Sequence, residues 1–90
     1  MTPQKAQALI NFKKTKSLTG KIIEMIETDR YCIDVMQQNL AAIGLLRSAH
    51  ERLMAGHLNS CFKSAFAAKN GKKQQQMTDE ILKVTKLFNK

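Results

Sequence analysis

Residues 30–69 read RYCIDVMQQNLAAIGLLRSAHERLMAGHLNSCFKSAFAAK, and this stretch decides the fold. It holds no proline, and glycine stands only at Gly44 and Gly56, so nothing in it stops a helix before Asn70. Cys32, Met36, Asn39, Ile43, Leu46, His50, Leu53 and His57 follow one another at alternating steps of four and three, the spacing of a coiled-coil seam. The spacing predicts one long helix, N-capped by Asp29 and running from Arg30 to about Lys69, with a seam that needs a partner along its whole length.

Outward from this stretch the chain stays helical. Thr2 before Pro3 predicts an N-cap with proline at the first helical position, and Leu9, Phe12, Ile22, Ile23 and Ile26 recur at helical spacing, so a first helix covers Pro3 to Glu27. Thr15 to Gly20 is poor helix material within it. Asn70, Gly71, Lys72 and Lys73 predict a helix stop and a basic turn. Beyond them Met77, Ile81, Val84 and Phe88 fall on one face of a last helix, with Gln74 to Gln76 in its solvated first turns. The expected fold is all-α, a three-helix subunit with a long central helix, forming a single domain over residues 1–90.

A chain of 90 residues buries too little surface for a generous core of its own. A second copy is the usual remedy, here an antiparallel four-helix bundle built from the first two helices of two subunits, which then pairs again as a dimer of dimers. Fifteen Lys plus Arg against seven Asp plus Glu give a net charge of +8, which attracts polyanions. Nucleic acid comes first among these and a membrane surface second. No apolar run approaches a membrane span, and lysines punctuate Met1 to Lys16, so neither a membrane partner nor a secretory signal is expected and the protein is placed in the cytoplasm. Two cysteines in that compartment are reduced thiols, suited to metal binding or redox sensing.

His57 and Cys61 stand four residues apart and share one helix face, close enough to hold one ion. By themselves a His and a Cys at this spacing on an apolar helix face are more often core residues than ligands. Cys32 lies twenty-five residues before His57, about 37 Å along a continuous helix, so one chain cannot close a site from all three. Two copies of the long helix packed antiparallel bring Cys32 of one beside His57 and Cys61 of the other, giving two sites per dimer. Two thiolates and an imidazole with no obvious fourth ligand suit a soft ion of low coordination number, copper(I), better than structural zinc. No acid, base and nucleophile cluster and no cofactor loop is present, so no enzyme is expected.

Asp29-Arg30-Tyr31-Cys32-Ile33-Asp34-Val35-Met36-Gln37-Gln38, followed by Gly56-His57-Leu58-Asn59-Ser60-Cys61-Phe62, resembles the copper-sensitive operon repressors and their nickel, persulfide and formaldehyde-sensing relatives. The resemblance is close over the long helix and looser elsewhere. It implies a copper(I) site at Cys32, His57 and Cys61, with Tyr31 and Glu80 orienting the ligands or coupling them to the last helix, given a slightly longer turn around Asn70 to Gln74. Nickel and cobalt sensors add a histidine near the N-terminus, and here none precedes His50. Persulfide sensors lack the middle histidine, which here is His57.

The resemblance further implies a disc-shaped tetramer that binds operator DNA without metal and leaves it on binding copper(I). Lys13, Lys14, Lys16 and Lys21 with Arg47 and Arg52 are the expected phosphate contacts, Lys13 and Lys16 first. The first helix departs from the family pattern: Asn11 stands where an arginine is usual, and Ser17 and Lys21 where glycines are usual. Two other readings stay open, a thiol- or persulfide-responsive repressor using Cys32 and Cys61, and a metal-binding helical protein without DNA binding, in which the lysines are only a solvated face. His50 reads as a core histidine or an accessory ligand, and the five methionines read as core filler.

Overall fold

The computed structural model describes residues 1–89, with Cys61 described by its backbone alone. Its elements are α1 (Pro3–Glu27), α2 (Cys32–His57), a π-helical turn (Leu58–Phe62), α3 (Lys63–Ala67) and α4 (Gly71–Phe88). Among the described residues there is no strand, and no helix is long and apolar enough to cross a membrane. The chain divides into two compact units, Met1–Gly56 and the residues from His57 onward.

The first unit is an antiparallel helical hairpin. Thr2 caps α1 through its hydroxyl, which accepts the Lys5 N–H at 3.1 Å, and Pro3 opens the helix as expected. The end of α1 corrects the sequence reading. Asp29 has φ 54°, its N–H donates to the Ile26 carbonyl at 3.1 Å, and the Arg30 N–H donates to the Met25 carbonyl at 2.9 Å. This is a Schellman stop, so Asp29 closes α1 instead of capping the next helix, and α2 begins at Cys32. Aspartate tolerates the left-handed backbone because its short polar side chain can bond locally.

Three pairs set the packing of α1 on α2. A Cβ added at Gly56 would stand 3.0 Å from the Cβ of Gln4, Arg52 donates to the Gln7 side-chain oxygen, and Asn11 Nδ2 donates to the Leu45 carbonyl at 3.3 Å. As α1 advances, its partner on α2 retreats. The residues buried along the seam are small: Ala8 and Thr15 on α1, and Ala42, Ala49 and Gly56, spaced by sevens, on α2. Met25 closes the seam near the end of α1. Small side chains at heptad spacing let the two backbones approach closely, and Gly56 permits the tightest contact.

The seam named from the sequence is therefore not the one that faces α1. It lies one residue further round α2, about 100° away, and Cys32, Met36, Asn39, Ile43, Leu46 and Leu53 are exposed while His50 and His57 are half-buried. Thr15 to Gly20, expected to be weak, is helical throughout. The Thr15 hydroxyl donates back to the Asn11 carbonyl at 2.8 Å, which satisfies it inside the seam.

In the second unit the helix expected to run to Lys69 changes to π geometry at Leu58, resumes as α3 and ends with Lys69 at φ 55°. The Lys69 N–H donates to the Phe66 carbonyl at 3.1 Å. Asn70 is then the N-cap of α4, its side chain accepting the Lys73 N–H at 3.1 Å, so Gly71 to Lys73 form a helical turn and not the expected basic loop. The side-chain oxygen of Asn70 satisfies a free N–H of the new helix, which is why the reversal needs so few residues. Met77 and Ala65 are buried, and the Phe62 and Phe66 rings lie 4.4 Å apart between centroids at 33°.

Candidate metal centre and nucleic-acid interface

Cys32 is the first residue of α2, and its thiol is free and exposed. The Schellman stop and the two residues after it set this position. The Tyr31 carbonyl accepts the Val35 N–H at 3.2 Å, which starts the helical ladder beside the thiol. An open cleft of about 360 Å³ borders Cys32, lined also by Ile26, Asp29, Arg30, Val35 and Met36. Met36 shares this cleft with the thiol and is exposed in the single chain, unlike Met25 and Met77. Its position four residues beyond Cys32 was the signal available in the sequence.

His57 is the last residue of α2 and is half-buried. Cys61 follows within the π-helical turn, and its side chain lies outside the described residues. The backbone joining the pair is thus not the α-helix expected. A turn closed by i→i+5 bonds is wider, and a residue four places on still falls near the column of the first. Insertions of this type occur often at functional positions. Among the described residues no three His, Cys, Asp or Glu side chains gather within one chain.

Tyr31 is exposed just ahead of Cys32. Glu80 is exposed on α4, where its carboxylate accepts a bond from Gln76 Nε2 at 3.3 Å. Lys13, Lys14, Lys16 and Lys21 are all exposed on α1, as are Arg47 and Arg52 on α2. They do not form one row. Lys14 and Lys21 share a heptad position with Gln7, whereas Lys16 shares one with Leu9 and Ile23 on the other flank of α1. Arg52 is engaged by Gln7, and Asn11, at the position where the resemblance expects an arginine, is turned into the seam as a strut to α2.

A profile of the family described as "Metal-sensitive transcriptional repressor" matches residues 5–87, from α1 through nearly all of α4. The chain belongs to this family. It is 34% identical over 86 residues to the copper-sensing transcriptional repressor CsoR of Mycobacterium ulcerans (strain Agy99), covering 96% of this chain and 71% of that protein. It is 29% identical over 87 residues to the copper-sensing transcriptional repressor CsoR of Bacillus subtilis (strain 168), covering 97% of this chain and 83% of the relative. The copper-sensing transcriptional repressor RicR of Mycobacterium tuberculosis (strain ATCC 25618 / H37Rv) is 36% identical over 66 residues, 73% of this chain and 69% of its own. This membership makes the chain a metal-sensitive transcriptional repressor.

Proposed function

We propose that the protein is a copper(I)-responsive transcriptional repressor of the cytoplasm, acting as one domain over its length, which holds operator DNA without metal and releases it when copper(I) binds. The observation that carries this reading is the open column on α2. Cys32 stands at one end of it and His57 at the other, and the bulky residues between them are left exposed by α1. A second copy laid antiparallel on that column brings Cys32 to His57 and Cys61 of the other chain and covers the apolar residues in the same step, giving a four-helix dimer that pairs into a tetramer.

The donor set fits the metal. Cys32 and Cys61 supply soft sulfur and His57 an imidazole, a trigonal set that copper(I) accepts and that would act as a closed, non-catalytic site. The copper-sensing relatives support the same choice. On this reading Tyr31, beside Cys32 in sequence, and Glu80, on α4, orient the ligands and pass the metal's presence to the rest of the tetramer. Lys13, Lys14, Lys16, Lys21, Arg47 and Arg52 supply the positive charge that contacts operator phosphates, Lys14 and Lys21 ahead of Lys16 because Lys16 stands in the column of Leu9 and Ile23. Linkage makes the coupling mutual: copper lowers DNA affinity by the factor by which DNA lowers copper affinity.

Competition for copper(I) against a chelator of known affinity tests the site. Cys32→Ala and Cys61→Ala should abolish tight binding of one ion per subunit, and His57→Ala should weaken it. Unchanged affinity in Cys32→Ala would overturn the site. The free, exposed thiol of Cys32 favours a second reading, in which Cys32 takes the outer sulfur of a persulfide, whose S–S bond breaks to leave a thiol, and Cys61 of another chain then displaces hydrosulfide to close a disulfide. DNA release by persulfide but not by copper(I) would select it.

A further inference from the structure

We infer that Met36 supplies a thioether to the metal held at Cys32, completing the two thiolates and the imidazole with a weak fourth donor. The inference rests on the copper reading of that site. Met36 lies one helical turn beyond Cys32 on the same face of α2, with Cβ atoms about 5–6 Å apart at this spacing. Both residues line the same open cleft, whose other walls are Ile26, Val35, Asp29 and Arg30. Met36 takes no part in the core of its own chain: it is 58% exposed, whereas Met25 and Met77 are 5% and 7% exposed.

A thioether is neutral, soft and carried on a flexible stem, so it can reach a copper(I) ion at the cleft mouth without adding charge to a site that already holds two thiolates. The cleft walls supply no competing soft donor, since the remaining polar groups are a carboxylate and a guanidinium. Thioether sulfur is a soft donor that copper(I) would accept beside thiolate and imidazole. In the proposed antiparallel dimer Met36 also faces the turn of the second copy that ends in His57, which keeps the thioether beside the ion.

The test uses the intact oligomer loaded with copper(I), prepared with selenomethionine in place of methionine. X-ray absorption at the selenium edge should show copper as a neighbour of selenium, and Met36→Leu should remove that signal. By chelator competition Met36→Leu should lower copper(I) affinity about tenfold, with helicity and oligomeric state unchanged, because leucine preserves volume. No copper beside selenium, or wild-type affinity in Met36→Leu, overturns the inference. Cys32→Ala separates the two claims. If it abolishes binding while Met36→Leu has no effect, only the role of Met36 fails; if it binds copper as the wild type does, the site itself fails.

Discussion

The two flanks of α2 are both spaced as heptads, yet they carry opposite side chains. The flank that meets α1 is built from Ala42, Ala49 and Gly56, and the flank one residue further round carries Met36, Ile43, Leu46 and Leu53. The same contrast holds on α1, where Ala8 and Thr15 face inward and Leu9, Phe12, Ile23 and Ile26 remain exposed. For an antiparallel pair a step of one residue turns both helices toward the same side, so the two bulky rows form one broad apolar face. The hairpin is thus held by close backbone approach between small residues. Its large hydrophobic residues stay exposed in two adjoining rows, and an exposed patch of this kind marks an interaction surface.

The largest expected effect comes from placing charge on the outer face. Ile43→Glu puts an unpaired carboxylate where the second copy should lie, at a cost of several kcal/mol for each buried charge. Light scattering should show loss of the oligomer, with copper(I) binding lost alongside. A variant that assembles normally would mean that this face is not the interface.

The inner seam should fail differently. Ala49 is fully buried, and Ala49→Leu forces the helices apart, which should destabilise the chain by about 1–3 kcal/mol in chemical denaturation. An unchanged unfolding midpoint would show that α1 and α2 are not as close as described.

A smaller effect concerns DNA. If a second copy covers the outer rows, Lys14 and Lys21, on the flank with Gln7, stay free for phosphate, whereas Lys16 stands in the column of Leu9 and Ile23. Lys14→Ala and Lys21→Ala should each flatten the slope of log affinity against log salt by about one unit. Lys16→Ala should flatten it less, and equal slopes for all three variants would erase the distinction between flanks.

Two glycines give the finest comparison. Nothing lies within 4 Å of a Cβ added at Gly44, so Gly44→Ala should raise stability by about 1 kcal/mol through helix propensity alone. At Gly56 the added atom meets Gln4 Cβ at 3.0 Å, close to the backbone of α1, so the same substitution should gain nothing or lose. Thermal melts of the two variants should move apart, and equal shifts would mean that the α1 start yields freely at Gln4.

Much of this was legible in the residues. Thr2 and Pro3 announce the start of α1, and the proline-free stretch after Tyr31 announces a long helical run, while the residue types at positions 32, 57 and 61 are what the proposed copper site rests on. Local signals of this sort act within one or two turns of backbone, which is why they survive without knowledge of the fold. Where a cap or a stop falls is also local, but Asp29 and Asn70 can serve either role, and only the backbone made one a left-handed stop and the other an N-cap.

Tertiary structure alone decided which heptad row turns inward. Hydrophobicity ranks the row of Ile43, Leu46 and Leu53 as the core, because it holds more apolar area than its neighbour. Two helices of the same chain joined by a short reversal can instead pack backbone to backbone, and close packing selects alanine and glycine over leucine. That choice leaves Cys32, Met36 and the bulky row exposed. The sequence therefore determined which residue types stand along α2, and the packing of α1 on α2 determined that Cys32, Met36 and the bulky row stay exposed on their own chain.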